Sequence, residues 1–394
     1  MKSSYGVLQR RLRMADFIKK AKLLCGLMTG ERAFNGPISV NIDVTHRCNL
    51  KCIYCRWHSS LLEQTLLDPV LKKDISPEVF SLVCSELKRM GTQTLLFVGA
   101  GEPLLHPQIF DLIAEAKKFG FEVVMYTNGV VLGEQTCKKL IELRLDVLRV
   151  SLKDSSAEEF ETNNPQLKPG TYAKILDQLT LLANIKEQQN RRVPMVELCV
   201  PIDRSIMNAL EKMTDIAHRS KCDRIHFSVV IDFGLEELKG FPLTPEEVKS
   251  ACSNLRQLRG RMDKQSMPHN IDDVLLRFQL GESVWEKVPC YNSWLHAYVR
   301  TDGKVLTCQR SQVVMGDLEK SRFGEIWNSA VYRDFRRQVI DKNKLSLLND
   351  SFHCSYCPNS VTNYRVHHYF RWMIPLQKSL LGVMGLISHG ASRH

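Results

Sequence analysis

From residue 38 onward the chain alternates short β-branched runs with longer helical patterns, and this alternation restricts its fold more than any other feature. The strand candidates are 38–44 (ISVNIDV), 94–98 (TLLFV), 122–126 (EVVMY), 146–151 (DVLRVS), 195–200 (MVELCV) and 224–231 (RIHFSVVI). Helical patterns fall between them at 76–90, 107–119, 133–143, 171–187 and 205–220. One of these starts on Ser76-Pro77-Glu78, which supplies an N-cap, a proline at the first helical position and an early acid. Strands separated by helices lie parallel, with the helices packed outside. Six such units in about 200 residues predict an α/β fold, a partial (β/α)6 TIM-like barrel.

The pattern then changes. Residues 232–289 read as a helical connection, with a helix at 244–260 opened by Thr244-Pro245-Glu246-Glu247. After Cys290, residues 296–300 and 304–308 flank Thr301-Asp302-Gly303, a hairpin signal, and a helix follows near 323–340. A small C-terminal α+β domain is expected there. The expected divisions are 1–35, 36–235, 236–289, 290–360 and 361–394.

Charge is concentrated at the ends. Of the formal +11, residues 1–32 carry +6 and residues 351–394 carry +4, so the body between is nearly neutral. A basic groove for nucleic acid is therefore not expected. Both ends are also apolar at helical spacing, through Met14, Phe17, Ile18, Ala21, Leu24 and Met28, and through Leu376, Leu380, Val383, Met384 and Ile387. Each stripe either packs on the protein's own body, the default reading, or lies on an anionic membrane surface. No run of about 18 uncharged apolar residues exists, so no span is expected. Basic residues interrupt the N-terminal apolar stretch, so no secretory signal is expected and the reading is cytoplasmic, with peripheral membrane contact as the alternative.

Thirteen cysteines are many for a reducing compartment, where thiols bind metal more often than they form disulfides. Cys48-Asn-Leu-Lys-Cys52-Ile-Tyr-Cys55 directly follows the first strand, at the end where parallel barrels place their chemistry. Three close cysteines can hold three irons of a 4Fe–4S cluster and leave the fourth open to a substrate or cofactor. Structural zinc prefers paired C-x2-C halves and four protein ligands. Cys290, Cys308, Cys354 and Cys357 form a second set. Four thiolates close a site, as structural zinc or as an electron-transfer cluster. The other six, Cys25, Cys84, Cys137, Cys199, Cys222 and Cys252, read by default as buried spectators. Cys199, at the end of the fifth strand, is also a possible hydrogen-atom donor.

The C-x3-C-x2-C spacing, with Tyr54 before the last cysteine, resembles the radical S-adenosylmethionine (SAM) superfamily. Gly99-Ala100-Gly101-Glu102-Pro103 resembles that family's Gly-Gly-Glu-Pro motif, with Ala100 in place of one glycine. The resemblance implies that Glu102 and Gly101 meet the methionine amino group of SAM, and that Tyr54, Asn128 and Ser151 border the cofactor. Lys153-Asp154 stands where Asp-Gly is common. The order C…G-x4-C…C-x2-C of the second set is similar to the shortened (twitch) form of the SPASM extension, and the layout is similar to 2-deoxy-scyllo-inosamine dehydrogenase. The resemblance implies one SAM-binding 4Fe–4S cluster on Cys48, Cys52 and Cys55. It implies one auxiliary 4Fe–4S cluster on Cys290, Cys308, Cys354 and Cys357.

The chemistry so implied is reductive cleavage of SAM to methionine and a 5′-deoxyadenosyl radical, followed by hydrogen abstraction from an unactivated C–H. The expected enzyme is a dehydrogenase-like oxidoreductase acting on a small molecule: a sugar, cyclitol or lipid-linked glycan. The auxiliary cluster accepts an electron, and a flavodoxin or ferredoxin supplies the reductant. A radical maturase of a peptide or protein and a metal-stabilised, non-catalytic adaptor are the alternatives. The residues before 36 are too few for the peptide-recognition domain common in peptide-modifying relatives. Arg277, Asp232 and His296 are general-base candidates by location only.

Overall fold

The computed structural model describes residues 14–62, 74–232, 235–281, 283–311, 313–340, 354 and 357–370. The six expected strands form as β1 (Ser39–Asp43), β2 (Thr94–Val98), β3 (Glu122–Thr127), β4 (Val147–Ser151), β5 (Met195–Ile202) and β6 (Arg224–Val229). They pair in parallel and in sequence order, each joined to the next through helix, as a right-handed winding of βα units requires. Apolar side chains such as Ile42, Phe97, Met125, Val150 and Leu198 face the surrounding helices and are fully buried. The opposite faces of the strands line a lumen.

The strand after Cys290 does not stand apart from this sheet. β7 (His296–Val299) pairs in parallel with β1, and β8 (Lys304–Leu306) and β9 (Gly316–Asp317) follow antiparallel, giving the order β6-β5-β4-β3-β2-β1-β7-β8-β9. The hairpin turns where Gly303 takes φ +76°. The expected 323–340 helix is two helices, Phe323–Trp327 and Ala330–Ile340. An additional helix, Ala157–Asn163, capped by Ser156, was not legible as a pattern.

Helix starts follow the expected chemistry. Ser76 accepts from Val79 N at 3.3 Å. Thr244 and Glu247 form a reciprocal capping box on Pro245–Lys264. The edge of β6 is closed by a side chain acting as a strand: Asn270 accepts from Phe227 N at 2.7 Å and donates to Phe227 O at 2.8 Å.

Residues 31–36 strap the C-terminal elements to the barrel. Trp294 Nε1 donates to Arg32 O at 3.2 Å and Trp327 Nε1 to Asn35 O at 2.8 Å, while Asn328 bonds both backbone groups of Ala33 at 3.0 Å. Arg336, fully buried, lies over the rings of Trp294, Trp327 and Tyr332 at 4.6–5.6 Å and donates to Ser293 O and Glu31 O. A desolvated guanidinium among three aromatic faces is held by their quadrupoles and by these carbonyls.

In the helix Met14–Thr29 the inward residues are Leu23 and Leu27, so the packed face is displaced from the expected Ala21, Leu24 and Met28 stripe. The side chains of Met14, Phe17 and Ile18 and the whole C-terminal stripe lie outside the described residues. No described helix is long and apolar enough to cross a membrane.

Candidate active site

The C-terminal ends of β1–β4 deliver the expected residues to one place. A cavity of about 730 Å³ is bordered by Cys48, Cys52, Tyr54, Cys55, Gly101, Glu102, Asn128 and Ser151. On its other side it meets Cys308, Gln309, Pro358 and Asn359. The barrel mouth and the C-terminal module therefore enclose a common space.

The loop after β2 is zipped onto the segment leading to Cys48. Glu102 N donates to Arg47 O at 2.7 Å, and a Cβ on Gly101 would stand 2.4 Å from that same oxygen. Glycine at 101 is thus required by close backbone approach rather than by dihedral angle. Ala100 fits this loop and is buried.

Glu102 is 2 % exposed and accepts from Asn128 N at 2.6 Å and Leu104 N at 3.1 Å. Burial pushes its carboxyl up to about 7, against the lowering effect of those hydrogen bonds. Asn128 Nδ2 donates to Asn49 Oδ1 at 2.7 Å, tying the end of β3 to the cysteine loop. Asn49 carried no sequence signal, because its role comes from the neighbour that folding brings to it.

Cys48, Cys52 and Cys55 lie within one another's electrostatic reach, and burial pushes the first two thiols up to about 11 and about 12. Cys290, Cys308, Cys354 and Cys357 likewise converge, and burial raises Cys290, Cys354 and Cys357. Cys308 alone of these four borders the cavity. None of the thirteen cysteines forms a disulfide. Among the described residues, no three His, Cys, Asp or Glu side chains stand close enough to share one metal ion. A donor set made only of sulfur suits an iron–sulfur cluster, a cage of several irons that takes its thiolates at wider separation.

Lys153 and Asp154 have structural partners. Lys153 Nζ pairs with buried Asp203 at 2.8 Å and sits 5.2 Å from the Tyr54 ring. Asp154 accepts from Asn163. Both brace the end of β4 under the cysteine loop. Register explains the lumen below. Tyr126, Arg149, Glu197 and Arg224 stand opposite one another on successive strands. Arg149 donates to Tyr126 at 2.6 Å and to Glu197 at 2.7 Å, and Arg224 to Glu197 at 3.4 Å. Burial and these two arginines push His226 down to about 3, so it is neutral.

Of the general-base candidates, only His296 borders the cavity, hydrogen-bonded to Ser39. Arg277 donates to Gly281 O at 3.4 Å, and Asp232 is buried. Among the spectator cysteines, Cys84, Cys137, Cys199 and Cys222 are buried, whereas Cys25 is exposed. Residues that sequence reasoning missed include Arg56, Asp43 and Tyr298. Asp43 accepts from Tyr298 OH at 2.5 Å, a contact made by the β1–β7 pairing. Arg56 had one available signal, a cation directly after Cys55.

Comparison with known proteins agrees with this geometry. A model of the radical SAM superfamily matches residues 42–188, and a model of an iron–sulfur cluster-binding domain (SPASM) matches residues 290–358, which contain all four cysteines of the second set. The tungsten-containing aldehyde ferredoxin oxidoreductase cofactor-modifying protein of Pyrococcus furiosus is 21% identical over 329 residues, 77% of this chain and 84% of that protein. A PqqA peptide cyclase of Rhodopseudomonas palustris is 25% identical over 309 residues, 75% of each chain. The solved structure of anSMEcpe with bound AdoMet and Kp18Cys peptide aligns at a TM-score of 0.57 and 15% identity, covering 87% of this chain and 99% of that one. Domains of these two kinds carry 4Fe–4S clusters and bind SAM. The chain thus carries a radical SAM domain, matched over residues 42–188, and a C-terminal SPASM iron–sulfur domain, matched over residues 290–358.

Proposed function

We propose that this protein is a radical SAM maturase that modifies a peptide or protein substrate. The observation that carries the radical reading is the single cavity bordered by Cys48, Cys52, Cys55 and Glu102 on one side and Cys308 on the other. The peptide reading draws its support from the PqqA peptide cyclases and from the fold shared with a peptide-bound structure along 87% of this chain. It takes precedence over the sugar or cyclitol substrate expected from sequence.

In this reading Cys48, Cys52 and Cys55 hold three irons of one cluster, and SAM lies against them. Bound there, this pair supplies hydrogen-atom abstraction from an unactivated C–H. Glu102 receives the SAM amino group, since its buried carboxylate gains most from a nearby cation. Asn128 holds Glu102 through its backbone N–H, and Ser151 and Tyr54 border the nucleoside. Cys290, Cys308, Cys354 and Cys357 hold the auxiliary cluster; four thiolates leave no iron for substrate, which suits the site to electron transfer and the enzyme to net oxidation. Flavodoxin or ferredoxin serves as reductant.

The test is isotopic. Anaerobically reconstituted protein is given SAM, reductant and a carbon-deuterated peptide encoded beside its gene, with a deuterated sugar mixture in parallel. Deuterium in 5′-deoxyadenosine from the peptide, together with a peptide mass change, is expected. Deuterium from the sugars alone overturns the peptide reading.

A further inference from the structure

We propose that Arg56 is a cation shared by the two cysteine sites, raising the reduction potential of both clusters together. The inference rests on the reading that both cysteine sets hold clusters.

Arg56 directly follows Cys55 in the chain, and Gln309 directly follows Cys308. Arg56 Nη1 donates to Gln309 O at 3.3 Å, so one side chain spans from the loop of the first set to that of the second. Its guanidinium lies 4.5 Å over the Trp57 ring, which fixes its direction. Its charge interacts with Cys55 and with Cys308, one thiol from each set. Arg310 is differently placed. It is 2 % exposed, and its charge interacts with Arg56 as well as with Cys308, Cys354 and Cys357 of the second set and with Asp232.

Arg56 is half-buried between the two loops, so its guanidinium is partly desolvated. Reduction of a cluster adds one electron and, with thiolate ligands, needs no proton. The reduced form therefore carries one more negative charge. A fixed cation in a low-dielectric surrounding favours that form, more strongly than the same cation in water. A cation facing both sites also offsets the repulsion that an electron on one cluster exerts on the other. Its removal should be felt at both.

The experiment is an anaerobic redox titration of the holoenzyme, followed by electron paramagnetic resonance. It compares wild type with Arg56→Gln, Arg56→Met and Arg56→Lys, with iron counted per chain. In Arg56→Gln both midpoints are expected to fall, with at least a tenfold change in the oxidised-to-reduced ratio at fixed poise, equivalent to about 59 mV. If Arg56→Gln does not load both clusters, Arg56→Met decides: both midpoints fall, or the proposal fails; Arg56→Lys, which keeps the charge, is expected to hold both nearer the wild-type values. A midpoint that stays at the wild-type value in fully loaded Arg56→Gln or Arg56→Met overturns it, as a purely structural role for Arg56 would produce. Wild type with a single cluster would instead overturn the two-cluster reading, an outcome told apart by its iron content.

Discussion

Replacing Glu102 with Gln tests the cofactor site most directly. The carboxyl is 2 % exposed and is raised from 4.5 to about 7, chiefly by burial. That rise corresponds to about 3 kcal/mol. The sign follows from linkage. A carboxyl whose folded value is raised contributes stability below 4.5 and loses it as pH climbs through about 7. At pH 8 the charged side chain therefore burdens the cofactor-free protein, and a bound ammonium relieves that burden. SAM affinity should then follow ionisation of Glu102: strong above pH 7, and weakening towards tenfold per pH unit below it. Gln removes the charge and cannot accept from both Asn128 N and Leu104 N. A lost charge-assisted hydrogen bond costs about 1.5–3 kcal/mol, or roughly a 10- to 150-fold rise in Kd. The assay is anaerobic equilibrium binding of SAM between pH 6 and 7.5, with stability at pH 8 measured by denaturant. A wild-type Kd that is flat with pH, or an equal pH slope in Glu102→Gln, would refute the reasoning.

Three further outcomes are expected. Gly101→Ala forces a Cβ to 2.4 Å from Arg47 O, so the 99–102 loop must shift; SAM binding should weaken at least tenfold while iron content is kept, as equilibrium dialysis and iron assay will show. Cys290→Ser should remove one cluster, cutting iron from roughly eight to roughly four per chain and leaving the SAM-sensitive paramagnetic signal in place. Arg336→Ala leaves a void among Trp294, Trp327 and Tyr332 and strands Ser293 O and Glu31 O; a loss of about 3 kcal/mol or more is expected in denaturant unfolding.

The first cysteine set, the six parallel strands, and Glu102 with its glycine were legible in the sequence, because each rests on local spacing; the second set, spread over residues 290–357, was grouped by its order and its resemblance to a known domain. Three thiols within eight residues need only one loop to converge, and a β-branched run bounded by helices has few other fates. The 323–340 helix was overextended because the same apolar period continues across the break near 328–329. The inward face of Met14–Thr29 was misplaced because its partner surface, near Trp294, is more than 250 residues away.

What the tertiary structure alone decided was which distant residues meet. Pairing of β7 with β1 puts Tyr298 on Asp43 and carries Cys308 to the barrel mouth. It also sets Arg56 against Gln309, residues 253 apart in the chain. Periodicity and motif spacing act over tens of residues and record what a segment can form. Contacts across the sheet depend on strand order and register, which follow from how all the apolar faces are buried together.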